Sequence, residues 1–147
     1  MKNYIGKESM NFFFVGLFVF AGLSLSSCNN EDDVENYAEH TLKGVVQDQS
    51  GVAIPAVQVI VKSNQAGWKN DTLITNSEGA FAKKYKISGN ADVDYNIFFN
   101  DIDGESNGSY KTDSVKVSFT KAELKDGNGS FLGSAEKEAN IKLTPAE

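Results

Sequence analysis

Apolar and polar residues alternate along most of the chain from position 41 onward. Val57, Val59 and Val61 occupy every second position of one segment, and the same period of two recurs in later segments. A period of two places successive side chains on opposite faces of a strand, so each segment is expected to bury one face. The pattern predicts seven strands, at 41–48, 57–62, 71–76, 81–87, 93–99, 115–119 and 141–143.

Turn-forming residues separate the predicted strands. Gly51 and Gly79 each close a polar turn at a position where a positive φ is expected. The longest irregular stretch is 120–134, where Thr120 and Glu123 have the spacing of a capping box and predict one helical turn. Seven short strands with almost no helix indicate an all-β fold, namely an antiparallel seven-stranded β-sandwich of the Ig-like or prealbumin-like kind.

The first part of the chain has a different pattern. An uncharged, largely apolar run at 12–23 follows two lysines and is too short for a bilayer span, which needs about 20 residues. The four residues Leu25-Ser26-Ser27-Cys28 resemble the bacterial lipobox. The resemblance implies that a signal peptide at 1–27 is removed and that Cys28 is acylated, which anchors the chain in a membrane. The alternative is an ordinary secretory signal followed by a free cysteine.

An acidic segment at 28–38 follows the predicted cleavage point. It contains four acidic residues and cannot bury much apolar surface, so we expect a disordered tether between the anchor and a domain at 39–147. The segment also resembles the export signals that send some Gram-negative lipoproteins to the outer face of the outer membrane. A solvated spacer is the alternative interpretation. The expected location is the cell envelope, with the lipid anchor in the outer membrane and the domain periplasmic or surface-exposed.

The composition narrows the classes of function. The chain has 14 lysines, no arginine and 20 acidic residues, and the part from Cys28 onward has a net charge of −7. This acidic balance argues against a nucleic-acid partner, because no cationic cluster neutralises phosphates. A single cysteine excludes an internal disulfide, and a single histidine, His40, argues against a zinc site or a catalytic triad. We therefore expect no enzymatic activity and no cofactor, and we place His40 at the surface or at a strand edge.

Two segments resemble a known domain type. The stretch 44–59 combines a strand, Asp48, a turn, Gly51, Pro55 and a strand of alternating valines, and 75–81 places Phe81 shortly after a turn glycine. This pattern resembles the carboxypeptidase regulatory-like (transthyretin-like) domain. The resemblance implies a β-sandwich and brings no catalytic residues with it.

The second half of the chain resembles a more specific group. The segments 99–110, 126–129 and 136–145, together with the lipobox, are similar to the radical SAM-associated lipoproteins. Those are short, signal-anchored β proteins that occur alongside a radical SAM enzyme. The resemblance implies a radical SAM partner and does not imply a reaction carried out by this chain.

Two predicted loops carry the candidate interaction residues. The first concentrates oxygen ligands and an aromatic ring in one short stretch, at Asp101, Asp103, Glu105, Asn107 and Tyr110. Such a stretch is typical of a calcium loop or of a polar loop closed by Asx turns.

The second loop, 64–70, contains Trp68. Its ring is expected either to cover an edge of the sandwich or to contact a sugar or a partner.

The sequence therefore predicts a lipid-anchored interaction module or target of a radical SAM enzyme. The alternative is a surface lipoprotein that binds glycan or calcium through the loops at 64–70 and 101–110.

Overall fold

The computed structural model describes residues 35–89 and 91–147. Within them the chain forms strands and one 3-10 turn at Lys121–Glu123. The strands are β1 (Tyr37–Gln47), β2 (Val57–Ser63), β3 (Asp71–Ile74), β4 (Ala80–Ser88), β5 (Val93–Asp101), β6 (Asp113–Phe119), β7 (Phe131–Glu138) and β8 (Ile141–Lys142). No helix in this described part is long and apolar enough to cross a bilayer.

The strands form two sheets that pack as a β-sandwich. The first sheet has the order β4-β1-β7, with β8 also paired to β1, and the second sheet has the order β3-β2-β5-β6. All neighbours in the second sheet are antiparallel, as are β1 and β4. The predicted all-β sandwich is confirmed.

The core lies between the two sheets and follows from the alternation in the sequence. Along β1 every second residue is buried over the whole strand, and β2 and β5 alternate in the same way. Removing these side chains from water is the main stabilising contribution to such a fold. The inward-facing residues include Leu42, Val46, Val57, Val59, Val61, Phe81, Tyr85, Ile87, Val93, Tyr95, Ile97, Phe99, Val117, Phe119 and Leu143.

Within this sandwich, the strand count and the direction of two strands differ from the predicted seven antiparallel strands. The described residues form eight strands, and both β7 and β8 run parallel to β1. Strand β7 reads FLGSAEKE, and its first four residues fall in the stretch 120–134 that the sequence predicts as irregular. Gly133, Ala135 and Lys137 share one side of β7, so the strand shows no period-two apolar signal.

The chain stays in contact with β1 between the two parallel strands. The backbone N–H of Ala139 donates to the carbonyl of Lys43 at 2.8 Å, and the backbone N–H of Val45 donates to the side-chain oxygen of Asn140 at 2.9 Å. The amide side chain thus replaces a backbone carbonyl at this point of the sheet. A Cβ at Gly44 would lie 2.5 Å from the Ala139 oxygen, so the close approach requires glycine there.

The fold begins earlier than the predicted domain boundary at 39. Strand β1 starts at Tyr37, and Ala38 is fully buried. The ring of Tyr37 lies 5.2 Å from the ring of Phe131 on β7. The last two residues of the predicted tether at 28–38 therefore belong to the first sheet. Cys28 and the predicted signal peptide at 1–27 lie outside the described residues.

Local predictions for the turns are confirmed. Gly51 has a φ of 91° and Gly79 a φ of 66°. The carboxylate of Glu123 accepts hydrogen bonds from the backbone N–H and the hydroxyl of Thr120, at 2.8 Å and 3.1 Å. These bonds hold the 3-10 turn at the spacing that the sequence predicts.

Candidate functional site

The loop between β5 and β6 is closed by its own side chains. One carboxylate oxygen of Asp101 accepts from the backbone N–H of Asp103 at 3.3 Å, and the other accepts from the backbone N–H of Tyr110 at 2.9 Å. The side-chain amide of Asn107 donates to the carboxylate of Asp103. Glu105 is exposed near the tip of the loop. The two aspartates and Asn107 therefore shape the loop, as Asx turns do.

This arrangement does not favour the calcium alternative. Calcium takes six to eight oxygen ligands, whereas both oxygens of Asp101 already accept backbone N–H groups. Within residues 35–89 and 91–147, no group of three or more histidine, cysteine or acidic side chains could hold a metal ion. The oxygen-rich composition of the loop is explained by its turns.

Tyr110 contributes to the packing of the domain. Its side chain is half-buried and packs against the core, and a Cβ on Gly108 would lie 2.8 Å from its hydroxyl oxygen. The ring thus covers the backbone of the loop, where only glycine leaves room for it. Ile102 is the more accessible apolar side chain of this loop, with 53% of its surface exposed.

Segment 143–147 fixes one end of the loop. The backbone N–H of Lys111 donates to the carbonyl of Thr144 at 2.9 Å, and the N–H of Ala146 donates to the carbonyl of Ser109 at 2.8 Å. Leu143, at the start of this segment, is fully buried. The segment thus holds the Tyr110 end of the loop, while residues 104–109 remain exposed.

Trp68 covers an edge of the sandwich, as one of the two alternatives predicted. Its ring makes edge contacts with Tyr85 at 5.0 Å and with Tyr95 at 5.5 Å between centroids. The indole N–H donates to the carbonyl of Val61 at 3.3 Å. Aromatic contacts of this geometry and the hydrogen bond hold the ring in one orientation. The side chain is nevertheless only half-buried, so part of the ring remains accessible.

A cleft of about 550 Å³ opens beside this ring. It lies where segment 64–70 meets β3 and β4, and we call it the Trp68 cleft. Within it, the carboxylate of Asp71 accepts a hydrogen bond from the Tyr85 hydroxyl at 3.1 Å and lies 3.5 Å from the ammonium of Lys83. The lining includes Gln65, Trp68, Lys69, Asp71, Lys83 and Lys86.

In this cleft the hydroxyl of Tyr85 acts as a hydrogen-bond donor. Burial, and then the negative charge of Asp71, raise the pKa of its hydroxyl far above the ordinary value. The hydroxyl therefore stays protonated and fixes the position of the Asp71 carboxylate. The volume of the cleft lies within the range of small-molecule sites.

His40 does not lie at the surface, and that prediction is wrong. The side chain is fully buried. Its Nδ1 lies 3.1 Å from the hydroxyl oxygen of Tyr95, and its ring stacks on Phe119 at 4.2 Å. The burial of His40 could have been predicted from the strand pattern, because His40 falls in phase with Ala38 and Leu42, which are buried on the same side of β1.

Burial also controls the protonation of His40. It lowers the pKa of the imidazole to about 4, while Glu123 raises this pKa and Lys137 lowers it by smaller amounts. Among the described residues, Nε2 has no hydrogen-bond partner. The ring is therefore neutral at pH 7 and acts as a core side chain with one polar contact.

The comparisons with known proteins match this chain to solved structures. No family profile matches the chain, and no curated protein matches it. Among solved structures, one match is a DUF3823 family protein from Parabacteroides merdae, with 20% identity and a TM-score of 0.45 over 74% of this chain and 47% of that chain.

Two further structural matches are dioxygenases. The 3-chlorocatechol 1,2-dioxygenase of Rhodococcus opacus has 12% identity and a TM-score of 0.49, over 78% of this chain and 62% of that chain. The catechol 1,2-dioxygenase of an Acinetobacter species has 13% identity and a TM-score of 0.46, over 80% and 55%. This chain thus spans about half to three-fifths of the length of these three structures.

Proposed function

We propose that this protein is a lipid-anchored, non-enzymatic interaction module of the bacterial cell envelope, held at the outer membrane. The observation that carries the proposal is the run Leu25-Ser26-Ser27-Cys28, with its resemblance to the lipobox. Eight residues separate Cys28 from Tyr37, where β1 begins. Even fully extended, they would hold the sandwich within about 30 Å of the lipid attachment. Acyl chains on Cys28 would make this attachment effectively permanent.

Replacing the lipidated residue tests the anchor. We expect Cys28→Ala to lose acylation, because the variant has no thiol, and to move from the membrane fraction to the soluble fraction. The measurement combines fractionation of the native cells with intact mass spectrometry. Ser24→Ala, just outside the lipobox-like run, is the control and should behave like the parent. A parent protein whose mass shows cleavage without acyl chains would contradict the proposal.

The resemblance to radical SAM-associated lipoproteins supports a radical SAM enzyme as the partner. The docking contact that we propose is the loop 101–110, because its tip at 104–109 is exposed and Ile102 adds an accessible apolar side chain. Cys28 is the only thiol in the chain. If it carries the anchor, any covalent change made by the partner falls on another residue type.

Peptide mapping by mass spectrometry tests this partnership. After exposure to the partner enzyme, we expect protection or modification in peptides that contain 101–110. Peptides from the buried strand β2 should remain unchanged and serve as the internal control. Identical maps with and without the enzyme, together with no capture in a pull-down, would contradict the partnership and leave the membrane anchor untouched.

A surface ligand-binding lipoprotein is the second candidate function. The Trp68 cleft favours it, because the cleft combines a half-buried indole with polar side chains in a volume suited to a small ligand. Among the two ligands that the sequence suggested, the structure favours a glycan. In the loop that would serve calcium, both carboxylate oxygens of Asp101 accept backbone N–H groups.

A further inference from the structure

The Trp68 cleft is electropositive in a chain that is otherwise acidic. Its lining contains Lys69, Lys83 and Lys86 against one carboxylate, that of Asp71. The ammonium of Lys86 lies over the ring of Tyr37, outside the lining, so Lys69 and Lys83 leave a local formal charge of +1. The part of the chain from Cys28 onward has a net charge of −7. A concentration of one charge sign in a concave site raises the local concentration of ligands of the opposite sign. The cleft is therefore suited to an anion.

The ammonium groups of the three lysines differ in the partners that they already have. Lys69 is exposed and has no ion-pair or hydrogen-bond partner among the described residues. Lys83 lies 3.5 Å from Asp71, but that carboxylate also accepts from Tyr85. The ammonium of Lys86 lies 4.0 Å above the ring of Tyr37. Lys69 and Lys83 thus retain donors for a ligand, and a carboxylate is the group that an ammonium binds with a charge-assisted hydrogen bond.

The indole of Trp68 determines which kind of group the rest of the ligand can present to the cleft. Trp68 is fixed by Tyr85, Tyr95 and the carbonyl of Val61, so its accessible part is a rigid, apolar surface next to the lysines. A sugar ring presents C–H groups to such a surface and hydroxyl groups to neighbouring polar side chains, here those of Gln65 and Asn70. A rigid surface of this kind costs little conformational entropy on binding.

We propose that the Trp68 cleft binds a carboxylate-bearing sugar, such as a uronic acid unit of an acidic glycan. This inference rests on the second candidate function and names its ligand class. In the complex, the indole of Trp68 packs against the sugar ring, and the ammonium groups of Lys69 and Lys83 bind the carboxylate.

Trp68 is the only tryptophan in the chain, so its fluorescence reports on the cleft directly. The experiment titrates the mature, detergent-solubilised protein with digalacturonate, with lactose as a neutral disaccharide and with inorganic phosphate as a bare anion. We expect a saturable change with digalacturonate, and an affinity at least about tenfold higher than for lactose or phosphate, because charged hydrogen bonds add to the contact with the ring.

Variants locate the binding groups. The double variant Lys69→Ala with Lys83→Ala is expected to lower the affinity for digalacturonate about tenfold or more. Lys142→Ala removes an exposed lysine of β8 that does not line the cleft, so this matched control should bind like the parent. Thermal melting of each variant is the control that distinguishes a loss of binding from unfolding.

Each other outcome overturns the inference in a recognisable way. Equal affinity for lactose and digalacturonate would mean that the cleft binds sugars without selecting for a carboxylate, and would overturn this inference. Equal affinity for phosphate would reduce the cleft to a general anion site. No saturable change with any of the three probes would overturn both this inference and the second candidate function, whereas the membrane anchor is tested separately through Cys28.

Discussion

Replacing Tyr95 with alanine is expected to lower the free energy of unfolding by about 3–5 kcal/mol, the usual cost of truncating a large buried aromatic residue. Tyr95 is fully buried and is the third residue of β5. Its ring contacts the rings of His40, Trp68, Tyr85 and Phe119, at centroid distances from 5.5 to 6.0 Å. Removing it leaves a cavity next to Trp68 and Tyr85, which line the Trp68 cleft. Urea denaturation, followed by circular dichroism, measures the loss.

The conservative variant Tyr95→Phe separates packing from hydrogen bonding. It keeps the ring and removes only the hydroxyl, so Nδ1 of His40 loses its partner. We expect a cost of about 1–3 kcal/mol, the range for a buried polar group left unsatisfied. If Tyr95→Ala costs no more than Tyr95→Phe, the aromatic contacts are not what holds the two sheets together here.

The strands that the sequence predicted well are those that bury one whole face. In β1, β2 and β5 every second residue enters the core, so the apolar period is visible in the sequence alone. Strand β7 lies beside β1 and places Gly133 and Ala135 on one side. Small residues give no hydrophobic signal, and β7 was therefore missed. Its parallel direction was not predicted either, because it depends on where the chain returns after β6.

The candidate site was harder to predict than the fold. The loop 101–110 was found from its composition, but the composition did not show that Asp101 closes the loop or that Tyr110 faces the core. The charge of the Trp68 cleft depends on tertiary structure. Lys69 belongs to the β2–β3 connection and Lys83 to β4 in the other sheet, so only the packing of the two sheets brings them to one cleft.

Acid is expected to destabilise the protein through His40. The folded state lowers the pKa of this side chain to about 4, while the unfolded chain keeps the ordinary value of about 6.5. Between these values the unfolded chain binds a proton that the folded chain does not bind. The free energy of unfolding should therefore fall as the pH is lowered from about 6.5 to about 4, by about 3 kcal/mol in total, and this contribution should level off at lower pH.

The variant His40→Phe isolates this contribution from that of the carboxylates. Phenylalanine preserves a flat ring against Phe119, which the imidazole stacks on at 4.2 Å, and it cannot bind a proton. The charged groups that act on His40, Glu123 and Lys137, stay in place. Glu123 and Asp94 have lowered pKa values, so both proteins lose their contributions when the pH falls through those folded-state values. Urea denaturation at several pH values should give the variant a flatter curve between pH 6.5 and 4. Parallel curves would show that the folded protein accepts a proton on His40 as readily as the unfolded chain does, and that the burial of this ring has no effect on its acid stability.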